Sequence, residues 1–168
     1  IKKKAFANCK KLMNIDYPNG KSLINNSISI DKNKERISKE DFEGWINLTK
    51  LEIPKSIKII DDDAFKDCIN LKELTCDPEL YSSIPKSSII KVTVPNFVKK
   101  LDKGQFDGFN SLAYVELPNE IIINDKAIFD SCENLKIIRC RSSIFNQLSK
   151  KTIERCDSKI KIKYENPI

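Results

Sequence analysis

Apolar residues recur along the chain at fixed distances from five phenylalanines. Six residues after each phenylalanine stands a leucine, and nine residues after it stands another aliphatic residue. The five phenylalanine–leucine pairs are Phe6 and Leu12, Phe42 and Leu48, Phe65 and Leu71, Phe106 and Leu112, and Phe129 and Leu135. Only 12 of the 168 residues are leucine, so five matches at one offset indicate a true internal repeat, the pattern that builds solenoids.

The residues around each phenylalanine predict a short helical turn. In the third unit we expect this turn over residues 64–68, with Asp62 or Asp63 as its N-cap. Phe65 and Cys68 are three residues apart, so they share one face of the turn and point inward. A single unit cannot bury these side chains, whereas stacked units can bury them in a continuous core.

A strand follows each leucine of the repeat, because apolar and polar residues alternate there with a period of two. Glu73, Leu74 and Thr75 show this pattern in the third unit. Three further segments repeat the pattern without a phenylalanine turn, which gives eight predicted strands. The core residues of the eight strands are Ile15, Ile28, Leu51, Leu74, Val92, Val115, Ile138 and Ile160.

Another aliphatic column lies five residues before the phenylalanines and contains Ile1, Ile37, Ile60 and Leu101, with Asn124 as its one polar member. Ile1 therefore corresponds to a position in the middle of a unit. We expect residues 1–168 to form a single solenoid domain that is a fragment of a longer chain. The open N-terminal end around Phe6 is then predicted to be apolar and to self-associate.

Segments 53–60 (IPKSIKII) and 64–74 (AFKDCINLKEL) resemble the BspA-like class of leucine-rich repeats. The resemblance covers nearly the whole chain, although residues 13–36, 77–101 and 141–162 lack the alanine–phenylalanine segment. It implies an α/β fold, a right-handed leucine-rich-repeat solenoid with about eight parallel strands on one face and short helical turns and loops on the other. Known members of this class act as adhesins or cell-surface recognition proteins, and no motif of the class marks a catalytic residue.

The amino-acid composition argues against most classes of enzyme active site. Histidine is absent, which excludes Ser-His, Cys-His and histidine–metal sites, and the four glycines form no phosphate-binding loop. The formal net charge is +6, but basic and acidic residues are interspersed and only four of the 30 basic residues are arginine, which argues against nucleic-acid binding. No apolar run is long enough to span a membrane. We therefore predict a protein that is not an enzyme and has no cofactor.

The six cysteines are mostly explained by the repeat. Three of them, including Cys68, occupy the column that holds Trp45 and Phe109 in other units, so this column is a packing position. No C-x-x-C spacing occurs, which argues against zinc. We expect buried free thiols, with Cys156 as the most plausible member of any disulfide because it has no column. Unpaired thiols favour the cytoplasm, with the cell surface or secretion as the alternative.

The candidate binding surface is the solvent side of the predicted sheet, the surface through which solenoids bind partners. Two columns of side chains project from it. The predicted partner-binding residues are Lys50, Glu52, Glu73, Thr75, Lys91, Thr93, Tyr114, Glu116, Ile137 and Arg139. Tyr114, Ile137 and Arg139 cluster in the C-terminal half, and tyrosine and arginine are favoured interface anchors. The same columns also fit an ordinary solvated sheet face.

The sequence as a whole predicts a non-catalytic module that recognises a protein partner of unknown identity through this face. The alternative is a secreted or cell-surface adhesin that binds host extracellular matrix. A signal peptide upstream of Ile1 in the full gene would favour the adhesin.

Overall fold

The computed structural model describes residues 27–157 of the chain, and ten short strands run through this part. The strands are β1 (Ser27–Ser29), β2 (Arg36–Ile37), β3 (Lys50–Glu52), β4 (Ile59–Ile60), β5 (Glu73–Thr75), β6 (Lys91–Thr93), β7 (Lys100–Leu101), β8 (Tyr114–Glu116), β9 (Ile122–Ile123) and β10 (Ile137–Arg139). The helices are α1 (Lys39–Phe42), α2 (Ser142–Phe145), α3 (Lys150–Asp157) and two 3-10 helices, Pro78–Ser83 and Lys86–Ser88.

Six strands form one parallel sheet in the order β1-β3-β5-β6-β8-β10. Its register is regular, because each central residue, such as Leu51, Leu74 or Val92, lies opposite the central residue of the next strand. These centres are buried while their neighbours in the strand are partly or fully exposed, as period-two alternation predicts. The strands expected around Ile15 and Ile160 lie outside the described residues, and the handedness and total strand number of the solenoid stay predictions.

The layer behind the sheet contains strands as well as turns. β2 pairs in parallel with β4, and β7 pairs with β9, in two separate two-stranded sheets. The prediction of only helical turns and loops on this side is therefore wrong in part, because adjacent units stack closely enough for their backbones to form ladders. Leu101 pairs with Ile123, so Ile123 fills the aliphatic column that Asn124 interrupts in the sequence.

Residues 62–67 form hydrogen-bonded turns and not the predicted helical turn. The N–H group of Cys68 donates to the carbonyl of Phe65, three residues earlier, and Asp63 has a left-handed backbone with φ of 59°. No helix begins directly after these residues, so Asp62 and Asp63 have no helix to cap and this assignment is wrong. The inward orientation of Phe65 and Cys68 is confirmed, since both side chains are buried.

Aromatic rings pack against one another through the core. The ring centroids of Phe42 and Phe65 lie 4.8 Å apart, and those of Phe106 and Phe129 lie 4.6 Å apart. The segment between these two pairs has no phenylalanine turn, and its first 3-10 helix places Tyr81 in the core instead, 5.4 Å from Phe106. Tyr81 is buried, and its hydroxyl has no hydrogen-bond partner among the described residues.

The described chain consists of two blocks that share one plan. β6, β8 and β10 each begin 64 residues after β1, β3 and β5, respectively. We call residues 27–88 the N-terminal block and residues 91–157 the C-terminal block. Each block contains two units with a phenylalanine turn, followed by a third segment without one. Tyr81 in the first of these segments corresponds to Phe145 in the second, and both are buried.

Candidate functional site

The predicted binding residues form two columns on the solvent side of the six-stranded sheet. The strand register places the members of each column side by side in chain order. The first column reads Lys50, Glu73, Lys91, Tyr114 and Ile137, and the second reads Glu52, Thr75, Thr93, Glu116 and Arg139. Their alignment is as expected from the repeat, while their role in binding stays a prediction.

Charges around Tyr114 on this sheet face are paired with one another. The Lys91 amine lies 3.6 Å from the Glu73 carboxylate and 5.4 Å from the centre of the Tyr114 ring. One guanidinium nitrogen of Arg139 lies 3.2 Å from the Glu116 carboxylate. Water screens these side chains, so each pair contributes less than about 1 kcal/mol to stability. Their main effect is to make the surface around Tyr114 locally neutral.

The N-terminal part of the sheet face carries unpaired charges. The side chains of Lys50 and Glu52 on β3 are exposed, and neither forms an ion pair with another described residue. The ten face residues together carry three positive and three negative charges. Residues 30–156 contain 21 basic and 21 acidic residues, so the formal charge of +6 comes from the rest of the sequence. This face therefore offers no net attraction for a polyanion such as nucleic acid.

The described cysteine side chains belong to the core and not to a reactive site. All five are free, including Cys156, whose thiol lies 3.9 Å from the carbonyl oxygen of Leu135. Burial raises the pKa of Cys68 to about 12 and that of Cys132 to about 11. Such thiols are protonated at neutral pH, so they are poor nucleophiles and poor metal ligands. Among residues 27–157, Cys, Asp and Glu side chains form no group of three that could hold a metal ion.

A second surface feature, which we call the rear groove, lies on the side of the sheet opposite the two columns. It is open, has a volume of about 610 Å³, and is lined by residues between 61 and 69 on one wall and between 82 and 88 on the other. Asp62 and Asp63 are exposed at its rim. The sequence reasoning missed this groove, although the absent phenylalanine turn in residues 77–101 is a signal that could have located it.

The equivalent place in the C-terminal block is occupied by α3. The guanidinium of Arg155 donates hydrogen bonds to three backbone carbonyls of the last phenylalanine turn. The accepting residues are Phe129 at 3.1 Å, Asp130 at 3.2 Å and Cys132 at 2.7 Å. The Ser149 hydroxyl, at the start of α3, donates to the Asp130 carboxylate. α3 therefore covers this turn with an arginine of the same chain.

Comparison with known protein families finds a match that extends along the chain. A sequence model of the BspA-type leucine-rich repeat region matches in six copies, over residues 1–28, 21–89 and 81–168. No curated protein matches the chain. The helices within residues 27–157 include none that is both long enough and apolar enough to span a bilayer.

Proposed function

Because the chain belongs to the BspA-type leucine-rich repeat family, we propose that it is a non-catalytic recognition module whose sheet face binds a protein partner. Repeats of this kind are protein-interaction modules, and stacking gives them one extended surface. The observation that carries the proposal is the pair Tyr114 and Ile137, which lie side by side in register on the sheet face.

The C-terminal half of the sheet face has the composition of an interface centre. Tyr114 offers a large ring with a polar hydroxyl, and a tyrosine loses little conformational entropy when it is immobilised. Arg139 is 58% exposed while it contacts Glu116, so its guanidinium can reach a partner without giving up its position. Buried aromatic and arginine anchors carry most of the binding energy of typical protein interfaces.

The chemistry of the chain supports binding without catalysis. Histidine is absent, so a histidine general base is not available. Burial raises the pKa of Cys68 to about 12 and that of Cys132 to about 11, which leaves these thiols unreactive at neutral pH. The adhesin hypothesis uses the same sheet face and differs only in the partner, a protein of the host extracellular matrix.

Capture experiments with matched variants test this function. From a lysate of the source organism, we expect Tyr114→Ala combined with Arg139→Glu to lose a partner that the wild-type chain retains. Ile122→Ala is the control, because Ile122 is 63% exposed on the opposite layer and should retain that partner. Equal retention by all three proteins would contradict binding through the sheet face. Saturable binding to immobilised matrix proteins, lost only in the double variant, would favour the adhesin.

Self-association through the N-terminal end is a separate proposal, because the unit around Phe6 lies outside the described residues. We expect light scattering to show a mass that rises with protein concentration. A chain that stays monomeric at high concentration would contradict this proposal without affecting the sheet face.

A further inference from the structure

We propose that the rear groove binds an arginine side chain of a partner protein through the carbonyl oxygens of Phe65, Lys66 and Cys68. All three residues line the groove. They stand 64 positions before the three residues whose carbonyls accept hydrogen bonds from Arg155. The groove is therefore the uncovered counterpart of an arginine site that the same chain already fills once.

The two phenylalanine turns have the same backbone hydrogen bonds. Within residues 61–68, three N–H groups donate to carbonyls three residues earlier, at 3.1, 3.1 and 2.9 Å. Within residues 125–132, the N–H groups at the counterpart positions do the same, at 3.1, 2.8 and 3.0 Å. Because the backbone path is repeated, the acceptor positions that hold Arg155 in one block are also present in the other.

The carbonyls of the first turn keep acceptor capacity for a further donor. The Lys66 carbonyl accepts no hydrogen bond from the described residues, and the carbonyl of its counterpart Asp130 accepts only from Arg155. The carbonyls of Phe65 and Cys68 each accept one bond within the turn and keep a second lone pair, but both residues are buried, so an arginine reaches these two carbonyls only when the neighbouring side chains move aside. Polar groups without partners cost free energy when they leave water, so a ligand that docks here must bring donors.

The segment that comes after each turn explains why only one of them is covered. Ser149 donates its N–H to the Lys126 carbonyl at 2.8 Å, and its hydroxyl accepts from the N–H of Thr152 at 3.1 Å, as an N-cap of α3. Pro85 is the counterpart of Ser149. Proline has neither an N–H nor a hydroxyl, so neither bond can form in the N-terminal block.

The N-terminal block also lacks the helical turn that carries the arginine. Its second 3-10 helix ends at Ser88, and the chain enters β6 at Lys91, three residues later. α3 instead continues to Asp157, and its last turn holds Arg155. The N-terminal block ends at Ser88 and therefore has no residue at the position that Arg155 holds in the C-terminal block.

The charges and donor geometry around the rear groove favour arginine. Asp61, Asp62 and Asp63 line one wall, and Asp61 is already paired with Arg36 at 2.5 Å. Lys66 is the one cationic residue among the described lining residues. A guanidinium presents five N–H donors in a fixed plane, whereas the lysine ammonium is a point charge. Three backbone carbonyls on one turn therefore select arginine over lysine.

A peptide copied from α3 is the probe for this site. It has the sequence of residues 149–157 with Cys156→Ser and carries a fluorescein label, and fluorescence anisotropy follows its binding to the intact chain. We expect saturable binding, and about tenfold weaker binding by the same peptide with Arg155→Lys, which cannot form the three-bond fork. Equal affinity of the two peptides, or no binding at millimolar protein, would overturn the proposal.

Two tryptophan variants at matched positions locate the binding. Ser83 lines the rear groove, and Gln147 is its exposed counterpart in the C-terminal block. We expect Ser83→Trp to weaken peptide binding at least about tenfold by filling the groove, and Gln147→Trp to leave it unchanged. The reverse pattern would mean that the peptide displaces α3, and would overturn the proposal. Circular dichroism verifies that each variant is folded, and Tyr114→Ala should not affect the peptide, so this test is independent of the sheet face.

Discussion

The two blocks of the chain share a scaffold and differ in the segment after their last phenylalanine turn. Strands, turn hydrogen bonds and the buried cysteines Cys68 and Cys132 recur 64 residues apart. α3 covers the turn of the C-terminal block, whereas the rear groove leaves the equivalent turn open. Each repeat unit is covered by the segment that stacks on it. The N-terminal block lacks the helical turn that covers the C-terminal one, so backbone polar groups there remain available to a partner.

The blocks also differ on the sheet face. Lys50 in the N-terminal block corresponds to Tyr114 in the C-terminal block, and Glu73 corresponds to Ile137. The buried centres of the same strands stay aliphatic in both blocks. Packing fixes the inward positions, because a change of volume there costs stability, while the outward positions are free to specify a partner.

The largest expected effect tests whether the two blocks share one core. Phe65→Ala and Phe129→Ala should each lower the free energy of unfolding by about 3 to 5 kcal/mol, because each removes a buried ring and leaves a cavity. Urea unfolding followed by circular dichroism measures both. A negligible loss in either variant would show that the two phenylalanines are not equivalent and that the repeat alignment is wrong.

Removal of the arginine from α3 should have the next largest effect. Arg155→Met keeps much of the apolar stem and removes the donors to three carbonyls, so we expect a loss of about 2 kcal/mol in the free energy of unfolding. Lys151→Met, on an exposed position of the same helix, is the control and should cost little. If both variants had the same stability, α3 would not act as a cover of the turn.

The buried free thiols at equivalent positions of the two blocks, Cys68 and Cys132, predict a fall in stability at alkaline pH. Burial raises the pKa of Cys68 to about 12 and that of Cys132 to about 11, from an ordinary value of 9.0. The folded state thus prefers the protonated thiol, so this stability is complete below about pH 9 and is lost as the pH rises through the folded values. Each thiol should contribute a slope of about 1.4 kcal/mol per pH unit above pH 9.

Alanine variants separate the two thiols in that experiment. Cys132→Ala and Cys68→Ala should each reduce the slope of stability against pH by the contribution of one thiol, about 1.4 kcal/mol per pH unit. Between pH 11 and 12 the contribution of Cys132 should level off first, because the Ser131 hydroxyl and the Arg155 guanidinium partly offset the effect of burial on its pKa. Slopes that match the wild type in both variants would contradict burial of these thiols.

The smallest expected effect is a gain in stability. Tyr81→Phe removes a buried hydroxyl that has no partner among the described residues, and Phe145 occupies the counterpart position. We expect the free energy of unfolding to rise by up to about 1 kcal/mol, measured by thermal unfolding. A lower stability of Tyr81→Phe would mean that the hydroxyl is hydrogen-bonded in solution.

The strands of the main sheet could be predicted because each repeats a period-two pattern at a fixed offset from a leucine. The burial of Leu51, Leu74 and Val115 and the outward orientation of Lys50 and Tyr114 follow from that pattern alone. The aromatic core could be predicted as well, since a phenylalanine that recurs at one offset in five units is buried when those units stack.

The rear layer could not be predicted from local sequence. β4 and β9 have two residues each, too few for any periodicity, and they form only because neighbouring backbones lie in register. The turn at Asp63 depends on a left-handed backbone that aspartate adopts in some contexts and not in others. The rear groove lies beside a segment without a phenylalanine turn; the sequence shows that this turn is absent from residues 77–101, but not that its absence leaves an open groove.

Site-specific photo-cross-linking tests recognition through the sheet face most directly. Benzoylphenylalanine is placed at Tyr114, at its counterpart Lys50 or at Ile122 on the opposite layer, and each chain is irradiated in a lysate of the source organism. We predict one dominant cross-linked partner from position 114, less of the same partner from position 50, and none from position 122. A partner captured from position 122 but not from position 114 would contradict recognition through the sheet face.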